Sequence, residues 1–320
     1  MPFKNEARYL RETLESIIQQ TEERFELIAV NDHSNDNSVD ILQQYEKIDS
    51  RIHMLNSVQH GIIPALQIAH QNASGRFITR HDADDIMPSH KLYELKTLLS
   101  QVGRGHVATG RVEYFSDTSV SEGFVKYANW LNSLCGNNNH QQHLFKECVI
   151  ASPNWMMFME DFNTIDAFDE SIYPEDYHMV FKLFEQRMTI VSSKKTTHLW
   201  RDHPLRASRT SEHYKDQKFF PLKIDFFKKM HGENNLNLWG AGPSGKKLAK
   251  ILLEKKIAFN WVTNNEKKIG QHIYGIEIHH FKTLKEKINE NLIISVTQKN
   301  ALEDIVSYLH KINFKNYFEF

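Results

Sequence analysis

The sequence predicts an α/β protein: a first domain on a mostly parallel sheet, then a smaller α/β domain. Three observations carry this prediction. Short apolar runs alternate with helical patterns through roughly the first 90 residues, as in consecutive βαβ units. Polar, acid-rich clusters stand directly after two of those runs. An apolar run, a glycine-rich turn and a helical pattern recur after residue 235.

In chain order, Leu10, Leu14, Ile17 and Ile18 give a helical period over 7–20. The apolar run 25–30 has the length of a buried strand and ends in the polar loop 31–38. A helix over 38–45, a strand at 52–55 and a helix over 63–72 follow, the last with Ala65, Leu66, Ile68 and Ala69 on one face. Gly75 breaks that helix ahead of a strand at Phe77, and Arg80-His81-Asp82-Ala83-Asp84-Asp85 comes next. In such sheets ligands sit beyond the carboxyl ends of strands, where Asp32 and Asp82 both fall. Residues two apart in an extended chain project to one side, so Asp82 and Asp84 can converge on one hard cation, Mn²⁺ or Mg²⁺. The alternative is a solvated acidic turn leading into a helix near Pro88. A further helix and a strand over 105–115 follow.

Composition narrows the partners. With 39 Lys plus Arg against 40 Asp plus Glu, the formal net charge of −1 offers no bulk attraction to nucleic acid, and none is expected as a partner. Cys135 and Cys148 are the only cysteines and form no C-x-x-C pair, which suits a reducing cytoplasm. No apolar run approaches the roughly 20 residues of a spanning helix. The expected location is cytoplasmic, with the inner face of the membrane as a second possibility.

The motifs become specific as an ordered set. Pro2-Phe3-Lys4-Asn5-Glu6, then Val30-Asn31-Asp32-His33-Ser34-Asn35-Asp36, then the Gly75 to Asp85 stretch resemble the nucleotide-sugar domain of bacterial family 2 glycosyltransferases, of GT-A type. The resemblance implies a nucleoside-diphosphate sugar donor and a divalent metal. It places Pro2, Asn5, Glu6 and Arg80 on the nucleotide sugar, Asp32 at the nucleobase, Asp82 on the ribose and metal side, and Asp84 on the metal bridging the diphosphate. Two departures stand out: Asn31 where the family commonly has Asp, and no strand ahead of the first helix. From the second we expect that the true start lies upstream of Met1.

Further on, Asn137 to His143 reads as a solvated polar loop rather than a metal site at His140 and His143. Trp155 suits either a sugar-stacking platform or the core. Pro174 followed by Glu175 and Asp176 is ordinary helix-start grammar. The resemblance adds an acidic pair at this place, which assigns Asp176 as catalytic base and Glu175 as its orienting or acceptor-binding neighbour. The stretch from His198 to Arg209 reads as a Pro-broken loop, either a basic surface loop or a site. It resembles a Trp-Arg-x-His-Pro-x-Arg-x-Ser motif of some bacterial family 2 enzymes, which puts His203, Arg206 and Arg209 on the nucleotide sugar, with His203 as phosphate or metal ligand.

We expect domains at 1–213 and 235–320 with a helical linker at 214–234. The linker's alternating Phe and Lys residues fit an interdomain helix, or contact with an anionic membrane. In the second domain Gly240, Gly242 and Gly245 form a G-x-G-x-x-G turn between strand and helix, as in Rossmann-like folds. The next strand ends in Asn264-Asn265 where a dinucleotide site needs an acid. The leading functional reading is a metal-dependent inverting glycosyltransferase acting on a glycan or lipid-linked acceptor in surface polysaccharide synthesis. The alternatives are an NAD-dependent oxidoreductase built on the second domain, or a nucleotide-sugar-binding protein whose chemistry has lapsed.

Overall fold

The structure, a computed structural model, describes residues 1–168, 172–210 and 219–320. It divides into two units: 1–141 with 148–213, and 142–147 with 214–320.

In the first unit, β1 (Pro2–Phe3) pairs in parallel with β2 (Leu27–Asn31), which pairs in parallel with β3 (Ile52–Asn56). The expectation of no strand before the first helix is therefore corrected. Pro2 and Phe3 align with Val30 and Asn31, and the Asp32 amide donates to the Phe3 carbonyl (2.8 Å). Two residues are too few for a periodicity signal, so the strand was invisible in the sequence. α1 (Leu10–Ile18), α2 (Ser38–Ile48) and α3 (Ile62–Asn72) connect these strands. β2 shows the period of two directly. Leu27 and Ala29 join a core with Leu10, Leu14 and Leu42, while Ile28 and Val30 pack on the opposite face with Ala65. Helices thus cover both faces, as a parallel sheet requires.

A second sheet of this unit has the order β4 (Phe77–Thr79), β6 (Trp155–Phe158), β5 (His106–Phe115), β7 (Thr189–Arg201). β6 runs antiparallel to β4 and β5, and β7 parallel to β5. α4 (Lys91–Val102), α5 (Glu122–Asn137), α6 (Met159–Thr164), α7 (Glu175–Glu185) and the short α8 (Ala207–Thr210) complete the unit. A cavity of about 510 Å³, lined in part by Leu27, Ile28, Phe77 and Ile78, opens beside β2 and β4.

Two expectations change here, and one open alternative, that of Trp155, closes. The stretch from His198 to Arg201 is the end of a 13-residue strand, because β5 pairs with residues 189–192 and, past an irregularity, continues to pair through residues 198–201. Residues 140–143 form a 3-10 turn with His140 buried, where a solvated loop was expected. Trp155 is 1% exposed, donates to the Ser152 carbonyl (2.8 Å) and stacks on Phe162, so it is a core residue and not a sugar platform.

The second unit contains α9 (Phe220–His231), then β8 (Leu236–Trp239), α10 (Pro243–Glu254), β9 (Phe259–Thr263), β10 (His272–Ile273), β11 (Ile276–His280), β12 (Asn291–Ile294), α11 (Lys299–Lys311) and β13 (Asn316–Glu319). Its six-stranded sheet has the order β10-β11-β9-β8-β12-β13 and is parallel except for β10 with β11. α9, which falls in the stretch expected to be a helical linker, clusters with this unit. Phe220, Phe226 and Phe227 are buried, and Phe227 and Phe318 both pack edge-on against Phe145. The aromatic face proposed for a membrane is therefore spent on the core; Lys215 and Lys218 of that stripe lie outside the described residues.

The glycine turn has a steric reason. A Cβ at Gly245 would stand 2.0 Å from the Gly240 carbonyl oxygen, so α10 reaches its place on β8 only without a side chain there. Gly245→Ala is expected to cost about 1–3 kcal/mol or more. A lower urea midpoint at unchanged slope is the measurement; an unchanged midpoint would refute the close packing.

Candidate active site

All the site residues in this section lie in the first unit, at the carboxyl ends of β1, β2 and β4 and on the elements that face them. The loop after β2 is fastened to the turn after β1. The Asn5 amide donates to Ser34 Oγ (3.1 Å), the Asn35 amide to Asn5 Oδ1 (2.8 Å), the Glu6 amide to Ser38 Oγ (2.8 Å) and the Ala7 amide to Asp36 Oδ2 (3.0 Å). Asn31 explains its own departure from the family pattern. Its Nδ2 donates to Asn56 Oδ1 (3.0 Å) while its Oδ1 accepts from the Ser34 amide (2.8 Å), a double role that a carboxylate lacking a donor could not fill. Pro2 lies in β1 and shapes this end of the sheet through its backbone.

Asp32 is buried at the end of β2. Its Oδ1 accepts from the Gly61 amide (3.0 Å) and lies 3.3 Å from His33 Nδ1, and Lys4 Nζ is 3.5 Å from Oδ2. Burial works to raise its pKa, but these donors outweigh it and hold the carboxyl below its usual range.

The Asp-x-Asp turn follows β4. Asp82 and Asp84 are half-buried while Ala83 and Asp85 are buried, so the alternation expected from spacing continues into the turn. The two acids nevertheless have different partners. Arg80, itself buried, donates from Nε to Asp82 Oδ1 (2.9 Å) and from Nη1 to Glu175 Oε1 (2.9 Å). Asp84 Oδ2 lies 2.9 Å from His203 Nε2, and the Tyr9 ring rests against that imidazole at 4.8 Å between centroids.

Glu6, Asp84 and His203 each present a ligand atom, all within 4.8 Å of one another. Asp82, engaged by Arg80, is outside this cluster. Burial and then the carboxylates of Asp84, Asp82 and Asp36 push the Glu6 carboxyl up to about 8, opposed by Arg206. Such crowding of acids is the electrostatic condition that a divalent cation relieves. Two carboxylates and one imidazole suit Mn²⁺, and Mg²⁺ with more waters.

Asp85 lies below the turn, fully buried. It accepts from the Arg201 amide at Oδ1 (2.8 Å), and its Oδ2 is 2.9 Å from His198 Nε2. Burial raises its pKa well above the usual value, and burial likewise drives His198 far down. The pair fixes β7, and so the start of the His203 loop, against the Asp-x-Asp turn. Nothing local in the sequence marks Asp85, because its partners are more than 110 residues away. Arg206 is buried, 3.7 Å from Asp85 Oδ1 and stacked over the Trp200 ring at 4.8 Å. Arg209 holds Asp202 with both Nε and Nη2 (2.8 Å each).

Glu175 and Asp176 open α7, where the positive end of the helix favours acids. Glu175 is buried on Arg80. Asp176 is half-buried and accepts from the Tyr177 amide (2.8 Å). Desolvation first and the neighbouring Glu175 second, offset by Arg80, raise its carboxyl to about 7. Arg80 therefore joins the Asp-x-Asp turn to the helix that carries the proposed base.

Acids and an imidazole thus gather at strand carboxyl ends, and Arg80 ties their turn to the helix that carries Asp176. The sequence model of Glycosyl transferase family 2 matches residues 1–165, and the chain belongs to that family. TuaG of Bacillus subtilis, named for teichuronic acid biosynthesis, is 39% identical over 92 residues, covering 28% of this chain and 36% of TuaG. The chain thus spans about a third of the length of that relative. Among solved structures, Staphylococcus aureus TarS 1–349 in complex with UDP is similar with a TM-score of 0.52 at 16% identity, covering 79% of this chain and 68% of that one. The mannosyltransferase PcManGT of Pyrobaculum calidifontis, in complex with GDP-Man and Mn²⁺, gives 0.52 at 15%, covering 78% and 66%. The first unit has the GT-A fold, and the second is a mostly parallel α/β sheet. No helix among the described residues is long and apolar enough to cross a membrane.

Proposed function

We propose that this chain carries a metal-dependent inverting glycosyltransferase that moves a sugar from a nucleoside-diphosphate sugar to a glycan or lipid-linked acceptor in surface polysaccharide synthesis. The observation that supports this most is the gathering of Glu6, Asp84 and His203 within 4.8 Å on the turn that Arg80, through Asp82 and Glu175, ties to the helix carrying Asp176, whose carboxyl is raised to about 7. Asp32 holds the nucleobase edge, and Pro2, Asn5 and Glu6 shape the turn beside it. Asp82 faces the ribose, while Arg206 and Arg209 set the loop that delivers His203.

Glu6, Asp84 and His203 would hold a divalent cation, which would supply charge compensation for the departing diphosphate. Asp176 accepts the acceptor hydroxyl proton as that oxygen bonds to the anomeric carbon from the face opposite the diphosphate. The anomeric carbon to oxygen bond breaks, the electron pair leaves on the diphosphate, and the configuration inverts. Glu175, neutralised by Arg80, orients the acceptor side.

The TarS and PcManGT complexes support a sugar-nucleotide donor, and TuaG supports a surface-polymer product. Thermal-shift measurements with UDP-, GDP- and dTDP-sugars, with and without Mn²⁺, test the reading, because a ligand stabilises the state it binds. One donor class raising the melting temperature only with Mn²⁺ is the expected result. No shift from any of them would overturn it.

A further inference from the structure

Next to the carboxylate at the end of β2 stands a second cluster of metal-ligating side chains, of different chemistry. Asp32, His33 and His60 each present one ligand atom, all within 4.8 Å of one another. The two imidazoles stack with their centroids 3.7 Å apart and their planes at 27°. Both are exposed, whereas Asp32 is buried. His33 is held in a left-handed backbone conformation (φ 60°), one that a non-glycine residue adopts at a cost, and that conformation accompanies its ring's approach to Asp32 and His60.

We infer that Asp32, His33 and His60 form a zinc-binding site separate from the Glu6, Asp84 and His203 cluster. The argument is one of donor type and spacing. Two imidazoles and one carboxylate with an open fourth position is a zinc ligand set, whereas Mg²⁺ favours a set dominated by oxygen donors. Two atoms each about 2.0–2.1 Å from a tetrahedral zinc lie about 3.3–3.4 Å apart. His33 Nδ1 and Asp32 Oδ1 are 3.3 Å apart, so these two ligands already stand at the separation the ion imposes. The Gly61 amide, donating to the same Oδ1, orients the carboxylate as an outer-shell donor does in metal sites. Lys4, on the other oxygen at 3.5 Å and 49% exposed, is free to turn outward when the cation arrives.

Zinc here withdraws the Asp32 carboxylate from the nucleobase. That consequence rests on the proposed donor site, whereas the zinc binding does not.

Calorimetric titration of the full chain with Zn²⁺ alone tests the site, using wild type, His33→Ala, His60→Ala and, as a control on the other cluster, His203→Ala. Expected in the wild type is a zinc-binding step, besides any at the Glu6, Asp84 and His203 cluster, that is weakened tenfold or more by His33→Ala and by His60→Ala and retained in His203→Ala. Both substituted histidines are exposed, so folding is expected to survive, and unchanged melting temperatures without metal check this. Substitution with Co²⁺ gives a second reading: the intense visible absorption of a tetrahedral cobalt centre, lost in the same two variants. Wild-type affinity in the His33 and His60 variants, or no zinc binding by the wild type, would overturn the assignment.

Discussion

Asp176→Asn is expected to leave donor binding intact while lowering the transfer rate by about 10²–10⁴-fold, the contribution typical of a positioned general base. The amide keeps the shape and the hydrogen bond from the Tyr177 amide but cannot accept a proton. Two pH effects follow from a carboxyl raised to about 7. The wild-type rate rises with pH as the base loses its proton, and the Asn variant lacks that limb. Stability moves the other way. A carboxyl whose pKa is raised in the folded state favours folding in its protonated form, so its contribution falls as pH rises from the unfolded value near 4 towards 7. The Asn variant should therefore melt at a higher temperature than the wild type at pH 8, and the difference should shrink towards pH 4. A variant that transfers at the wild-type rate removes Asp176 from the base position.

Asp84→Ala is the second large effect. It removes a carboxylate from the Glu6, Asp84 and His203 cluster and takes from His203 the oxygen 2.9 Å away. The expected result is loss of Mn²⁺-dependent stabilisation by the donor and a fall in turnover of about 10³-fold, the equivalent of about 4 kcal/mol of leaving-group stabilisation. Chelation of the wild type should reproduce the loss, and added Mn²⁺ should rescue the wild type but not the variant. Asp82→Ala separates the two acids of the turn. It frees one arm of Arg80 without removing a member of the cluster, so it should disturb donor affinity more than metal affinity. If Asp82→Ala abolishes Mn²⁺ binding and Asp84→Ala does not, the roles are reversed.

The parts of this site that could be read from the sequence are those written in local spacing. Alternation placed Asp82 and Asp84 on one side of the chain, and the strand pattern placed Asp32 at a carboxyl end. Pro174 marked the start of the helix that carries Asp176. The assignment of Asp176 as base and the interest of His203 came from family resemblance, since helix-start acids and basic loops are common without function. What stayed hidden depends on contacts distant in sequence. Arg80 meets Glu175 across 95 residues, and Asp85 meets His198 across 113. Glu6 was expected on the nucleotide, and only the folded geometry sets it beside Asp84. In the same way, Phe145 joins the second unit because its ring packs on Phe227 and Phe320, which no local period could announce.

On the proposed mechanism, the Arg80 bridge also couples the cation cluster's turn to the base. Asp82 lies close enough to Asp176 to help raise its pKa, and Arg80 lowers it. A divalent charge arriving beside Asp84 acts on Asp176 in the same direction as Arg80, so cation binding should make the base a stronger acid. Linkage is reciprocal: loss of the Asp176 proton must then tighten the cation by the same factor. Mn²⁺ affinity should accordingly rise between pH 6 and pH 8, partly because Glu6 sheds its own proton there, and the Asp176→Asn variant should show a shallower rise. The protein would then hold its metal best in the same ionisation state that can take a proton from the acceptor.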